Sequence, residues 1–213
     1  MKDYRILAAT YLVPSPAGAY YAVSSSNSEP GRNLLLNIMR QKRAELLDTQ
    51  WLELLSGESE DIGAEILLEL QNAHMVQGLD QAFEPPQGSL ETALPSLLAD
   101  LAVSGDQVLL ADDEGFSLAN HGFEPGQAEE LSGLSANLGL LHERHHHVLE
   151  QSLNLSSSAW AIVGAGGNSE VGFWPLYIGL QRFVLIIRGI PHLNRPALVS
   201  LIWALTRRYL SSS

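Results

Sequence analysis

Positions 142–147 read His-Glu-Arg-His-His-His, so four of six consecutive side chains are imidazoles. His142, Glu143 and His146 satisfy the H-E-x-x-H spacing, and in zinc-dependent hydrolysis that spacing has a purpose. Two histidines one helical turn apart hold the metal, and the glutamate between them activates the metal-bound water. Glu170 is the nominal third ligand. Three features oppose this chemistry. A run so rich in histidine meets the pattern by chance, and Arg144 sets a cation at an inner position beside the metal. Glu170 follows a tight turn, with no second helix to present it. A zinc-dependent hydrolase is therefore the alternative reading. No metal, cofactor or catalytic residue is assigned.

Other chemistry-bearing text reads as punctuation. Gly164–Ser169 imitates a glycine loop for phosphate, but such loops open a helix after a strand, and this one leads into a second strand. It reads as a hairpin. Asp112, Asp113 and Glu114 have oxygens suited to a divalent cation, yet three adjacent carboxylates before Gly115 read as a solvated turn. No P-loop or G-x-S-x-G elbow occurs, and nothing couples a serine, a histidine and an aspartate as a triad. Arg207 and Arg208 complement the negative pole at the end of the last helix. Trp160, Trp174, Trp203, Phe173 and Tyr177 are aromatics shared between core and interface roles.

Whole-chain composition narrows the class. The 213 residues include 24 acidic and 12 basic side chains, no cysteine, and 46% apolar residues. That mixture is globular, and the length holds one large domain or two small ones. The net charge of −12 repels phosphate backbones, so sequence-independent nucleic-acid binding is not expected. Without cysteine there are no disulfides, thiolate nucleophiles or thiolate metal sites. No apolar run approaches the roughly 20 residues of a membrane span, so no membrane insertion is expected. Lys2 and Arg5 ahead of Ile6–Val13 imitate a secretory signal, but Asp3, Thr10 and Tyr11 spoil it. The expectation is a cytoplasmic protein.

The stretch F-E-P-P-Q-G-S-L at 83–90 breaks regular structure and predicts a linker over 81–90, between a module at 1–80 and a domain at 91–213. Charge does not distinguish the halves. In the first, Arg5–Val13 and Ala19–Ser24 flank P-S-P-A-G and predict two strands joined by a turn. Helices follow over Gly31–Gln41 and Gln50–Leu55, with Asp48 or Thr49 as cap of the second. A third, capped by Ser59, carries Ile62, Ile66, Leu67 and Leu70 on one face, and a strand begins at Met75. Through Trp51–Leu55, Ile62–Leu70 and Val76 this order loosely resembles a winged helix, an α+β module. A DNA reader needs arginine or lysine on its third helix. Residues 58–74 instead contain Glu58, Glu60, Asp61, Glu65 and Glu69, so a protein-contact or structural role is implied.

The second half has a clearer order. Leu90–Val103 is an amphipathic helix, Gln107–Ala111 and Phe116–Asn120 are a hairpin, and a long helix runs from Pro125 to Ser152. Three strands follow at Ala159–Val163, Glu170–Ile178 and Gln181–Arg188, and a helix over Asn194–Tyr209 closes the chain. Apolar residues on both sides of Val171–Ile178 call for helices on both faces. The fold class is an α-β-α sandwich around one five-stranded antiparallel sheet.

That order, with V-L-L-A-D-D-E-G-F-S-L-A-N at 108–120, the Glu129–Leu149 helix and the closing Q-R-F-V-L-I-I, resembles the roadblock (dynein light-chain) family over about residues 90–210. The resemblance implies a non-enzymatic, dimerising scaffold or regulator, with a small Ras-like GTPase as the kind of partner. It implies self-association through the long helix and the strand after it, here about 125–152 and 159–163. Read residue by residue, Leu131, Leu134, Leu138, Leu141, His145 and Val148 step by three and four and form a heptad seam. These six are the candidate dimer interface, giving a homodimer. Imidazole titrates near neutrality, so a His145 buried between subunits makes the dimer weaken on acidification. The expected outcome is a falling mass between about pH 8 and about pH 5.5 in sedimentation; an unchanged mass removes His145 from the interface.

Overall fold

The structure is a computed structural model in which residues 10–103 and 105–210 are described. The described chain forms two compact units. One combines the chain up to Gln87 with the segment from Asn194 onward, and the other is Gly88–Leu193.

The first unit begins with strand β1 (Tyr11–Pro14), whose partner is β2 (Val76–Leu79), antiparallel from Tyr11↔Leu79 to Pro14↔Val76. The expected second strand at Ala19–Ser24 is instead helix α1 (Pro16–Val23). The reason is local. The Ser15 hydroxyl accepts the Gly18 N–H at 3.1 Å, and Pro16 supplies a helical φ at the first position, so a capped turn overrides the strand preference of Tyr20 and Tyr21. Residues 1–9, and with them the start of the expected strand at Arg5, lie outside the described residues.

Helices α2 (Pro30–Arg40), α3 (Thr49–Ser56) and α4 (Glu60–Asn72) follow. Asp48 caps α3 by accepting the Trp51 N–H at 2.7 Å, and Gly57 closes it with φ 70°. Helix α2 buries Leu34, Leu35, Ile38 and Met39, and α4 buries Gly63, Ile66, Leu67 and Leu70. The acidic side chains of α4 are exposed, as are those flanking it. Arg32 clamps α1 to α2. Its guanidinium lies 4.1 Å from the Tyr21 ring centroid and donates to the Ser24 hydroxyl at 3.0 Å and to the Tyr21 carbonyl. The Tyr21 hydroxyl donates to Glu29 at 2.6 Å; burial, and then that carboxylate, push the phenol above its ordinary range. No strand follows β2 before Ser89 among the described residues, and β2 pairs with β1, so the hairpin that would make a wing is not seen there.

The closing helix, α7 (Pro196–Tyr209), was expected with the second domain but packs against α1 and α2. Its Trp203 is fully buried, donates from Nε1 to the Gln41 carbonyl at 2.9 Å, and lies 5.1 Å from the Phe83 ring. Leu198, Val199, Leu201, Ile202 and Leu205 surround most of its circumference, which makes it a central helix.

The second unit holds α5 (Leu90–Leu101), β3 (Gln107–Asp112), β4 (Ser117–His121), α6 (Pro125–His146), β5 (Trp160–Val163), β6 (Ser169–Ile178) and β7 (Gln181–Arg188). A π-helical turn over His147–Ser152 prolongs α6. The sheet runs β4-β3-β7-β6-β5 with every pair antiparallel, so β4 and β5 are its edges. Under α6 the sheet contributes Leu109, Ala111, Phe173, Val184 and Ile186; by strand alternation Val108, Leu110, Phe183 and Leu185 point to the opposite face, and α5 packs along β3 and β4. The result is the five-stranded antiparallel sheet with helices on both faces. Among the described residues no helix is long and apolar enough to cross a membrane.

Gly18 is the tightest backbone approach in the first unit, because a Cβ there would run into the Met75 carbonyl. The Ser15 N–H donates to that same carbonyl at 2.9 Å, so the two segments have no slack. Gly18→Ala is expected to cost about 1–3 kcal/mol, measured by urea unfolding. A neutral substitution overturns the close approach of α1 to Met75.

Candidate functional site

The candidate surface is built by the way α6 lies on its sheet. The side chains it buries are small or polar: Ala128, Ser132, Ser135 and His142. Each serine hydroxyl is satisfied within the helix, Ser132 donating to the Ala128 carbonyl at 2.8 Å and Ser135 to the Ser132 carbonyl at 2.7 Å. With so little volume beneath the helix, its leucines are not required there. At about 100° per residue the heptad seam lies roughly a quarter to a third of a turn from the buried line. Leu131 and Leu138 therefore pack partly against the core, whereas Leu134 is 40% exposed and Leu141 39%. His145 and Val148 are exposed as well.

Apolar side chains are exposed beyond the helix as well. Leu153 and Leu155 are exposed just after the π-helical turn, and Ile162 and Val163 are exposed on β5. Among the described residues strand β5 pairs only with β6, so its outer backbone edge carries no partner strand there.

The histidine cluster divides instead of converging. His142 turns inward, edge-on to Trp160 with ring centroids 6.3 Å apart. Glu143 is 63% exposed and is engaged by Arg182 Nη1 at 3.0 Å. His146 is exposed, its Nδ1 lying 2.7 Å from the Glu143 carbonyl. Glu170 belongs to β6. No three histidine, aspartate or glutamate side chains among the described residues are grouped to hold a metal ion. The remaining motifs are turns. Asp112 Oδ1 accepts the N–H groups of Glu114 and Phe116 at 3.1 and 2.8 Å, with Gly115 at φ 91°. Gly164 donates to the Asn168 carbonyl at 2.9 Å, closing the β5–β6 hairpin.

Two features were not read from the sequence. Arg182, on β7, lays its guanidinium across Gly139 of α6 on the way to Glu143, so closely that a Cβ at 139 would overlap it. The signal available was a glycine inside a leucine-rich helix. The second is a groove beside the first half of α6, lined by Phe123, Gln127, Glu130, Leu131, Leu134, Val171 and Arg188. No sequence signal joins those positions, which come from three elements and a loop.

No family model matches the chain, and no curated protein matches it. Solved structures that are similar over part of it include the following two. A roadblock/LC7 domain from Streptomyces avermitilis is 13% identical over 58% of this chain and 96% of its own, with a TM-score of 0.34. Myxococcus xanthus MglB is 15% identical over 59% of this chain and 90% of its own, also with a TM-score of 0.34. The fold statement rests on the order helix, two strands, helix, three strands and on the sheet described above; the closing helix that the resemblance included belongs to the first unit.

Gly139→Ala must unseat Arg182 and is expected to lose about 1–3 kcal/mol. Glu143→Gln removes an ion pair whose carboxylate is mostly exposed, and is expected to change stability by no more than about 1 kcal/mol. Denaturant unfolding of the two variants checks the contrast; equal losses overturn the packing role of Gly139.

Proposed function

We propose that this chain is a non-catalytic, homodimeric adaptor or regulator acting in the cytoplasm, with a small Ras-like GTPase as its partner. The observation that carries the reading is the outward leucine seam of α6 beside the apolar edge of β5. A surface of that kind is at odds with water unless another protein covers it. A second copy suits it, because an isologous interface repeats one patch on both subunits and needs no second design. Leu131, Leu134, Leu138, Leu141, His145 and Val148 are the interface residues in this reading, with β5 at their side. The GTPase portion rests on the roadblock resemblance of the sequence, and the acidic first module is a further protein-contact element, not a reader of nucleic acid. The separation of His142, Glu143 and His146 supports a role without catalysis.

Sedimentation equilibrium tests self-association. The wild type is expected at twice the chain mass, and Leu134→Glu together with Leu141→Glu is expected to give a folded monomer, since both side chains are exposed in the single chain. A monomeric wild type, or a dimeric double variant, overturns the interface. For the partner, tagged protein is exposed to lysate of its own cells with GDP or with a non-hydrolysable GTP analogue. Retention of a small GTPase in one nucleotide state is the expected result; its absence in both removes the GTPase assignment and leaves the dimer standing.

A further inference from the structure

The groove beside α6 has a volume of about 380 Å³, within the range of small-molecule sites. Phe123, Leu131, Leu134 and Val171 make it apolar, and Gln127, Glu130 and Arg188 are its polar lining. Glu130 comes from α6, and Arg188 from the end of β7. Both charges line one groove, yet they form no ion pair with each other among the described residues. Arg188 Nη1 donates to Gln107 at 2.8 Å, which leaves the guanidinium with other donors.

We propose that this groove binds a small apolar zwitterion, namely an α-amino acid with a branched or aromatic side chain. The charges select it. An apolar anion would meet Glu130, an apolar cation would meet Arg188, and a neutral apolar ligand would shield both charges from water without replacing their hydration. A zwitterion answers both, its carboxylate on the Arg188 guanidinium and its ammonium on the Glu130 carboxylate, each a charge-assisted hydrogen bond. Its side chain then lies on Leu131, Leu134, Val171 and Phe123. Leu131 and Leu134 also belong to the face assigned to self-association, so the titration is run on the wild type and, to free that face of a second copy, on the Leu141→Glu, Val148→Glu chain, whose substituted side chains are exposed and do not line the groove. The proposal does not rest on the dimer.

Calorimetric titration of the full chain with L-leucine and L-phenylalanine tests it. Saturable binding is expected for at least one of them. Leucinamide, which lacks the carboxylate, and N-acetyl-leucine, which lacks the ammonium, are expected to bind about tenfold more weakly or worse, as the loss of a hydrogen bond to a charged group predicts. Arg188→Gln and Glu130→Gln should each weaken binding about tenfold or more while the circular dichroism of the chain is retained. Should a variant fail to fold, the derivative series on wild-type protein still decides. No saturable binding of either amino acid, or a derivative that binds as tightly as L-leucine, overturns the proposal.

Discussion

How near α6 can come to its sheet governs most of what the second unit presents to its surroundings. Ala128, Ser132 and Ser135 occupy the contact line, and Gly139 gives way to a guanidinium. A helix seated on small residues lies low, and its larger side chains are carried round to the flank. Leu134 and Leu141 are thus outside because the interior has no room for them, although their hydrophobicity favours burial. The same low seat brings Arg182 within reach of Glu143 and sets His142 against Trp160. Substituting larger residues along that line would lift the helix, and the flank would lose its present shape.

The histidine run shows how one helix separates residues that adjoin in sequence. Positions 142 and 146 are a turn apart, but one is covered by the sheet and the other faces water. A metal site needs its ligands to converge on a point, and here the glutamate between them is drawn sideways by Arg182. The surface that remains is apolar on its flank, open at a strand edge, and bordered by a groove with one charge of each sign.

Much of the second unit was legible because its elements announce themselves by period and punctuation. Gly115 and Gly164–Gly167 mark hairpins, and alternation across Val171–Ile178 marks a strand buried on both faces. The first unit was less legible where two signals competed. At Tyr20–Val23 the side chains favour a strand, while Ser15 and Pro16 start a helix, and the cap with its backbone hydrogen bonds prevailed. Helix α7 was recognised as a helix but assigned by proximity in the chain, whereas its place follows from Trp203 meeting Phe83 and Gln41, contacts that no local pattern encodes. The six seam residues were recognisable as a stripe, but the direction of the stripe depends on the small residues opposite it. The groove was beyond reach for a related reason: Phe123, Val171 and Arg188 are neighbours only once the strands have found their register.

The return of α7 to the first unit has a consequence for biosynthesis. A chain emerging from the ribosome presents α1 and α2 early, but the helix that packs against both is made only after residue 194. The segment between, Gly88–Leu193, holds its own sheet and α6, so it is able to fold as soon as it has emerged. During that interval the sides of α1 and α2 that meet α7 lack their covering, and Phe83 lacks the Trp203 ring. The first unit is therefore the last of the two to be completed.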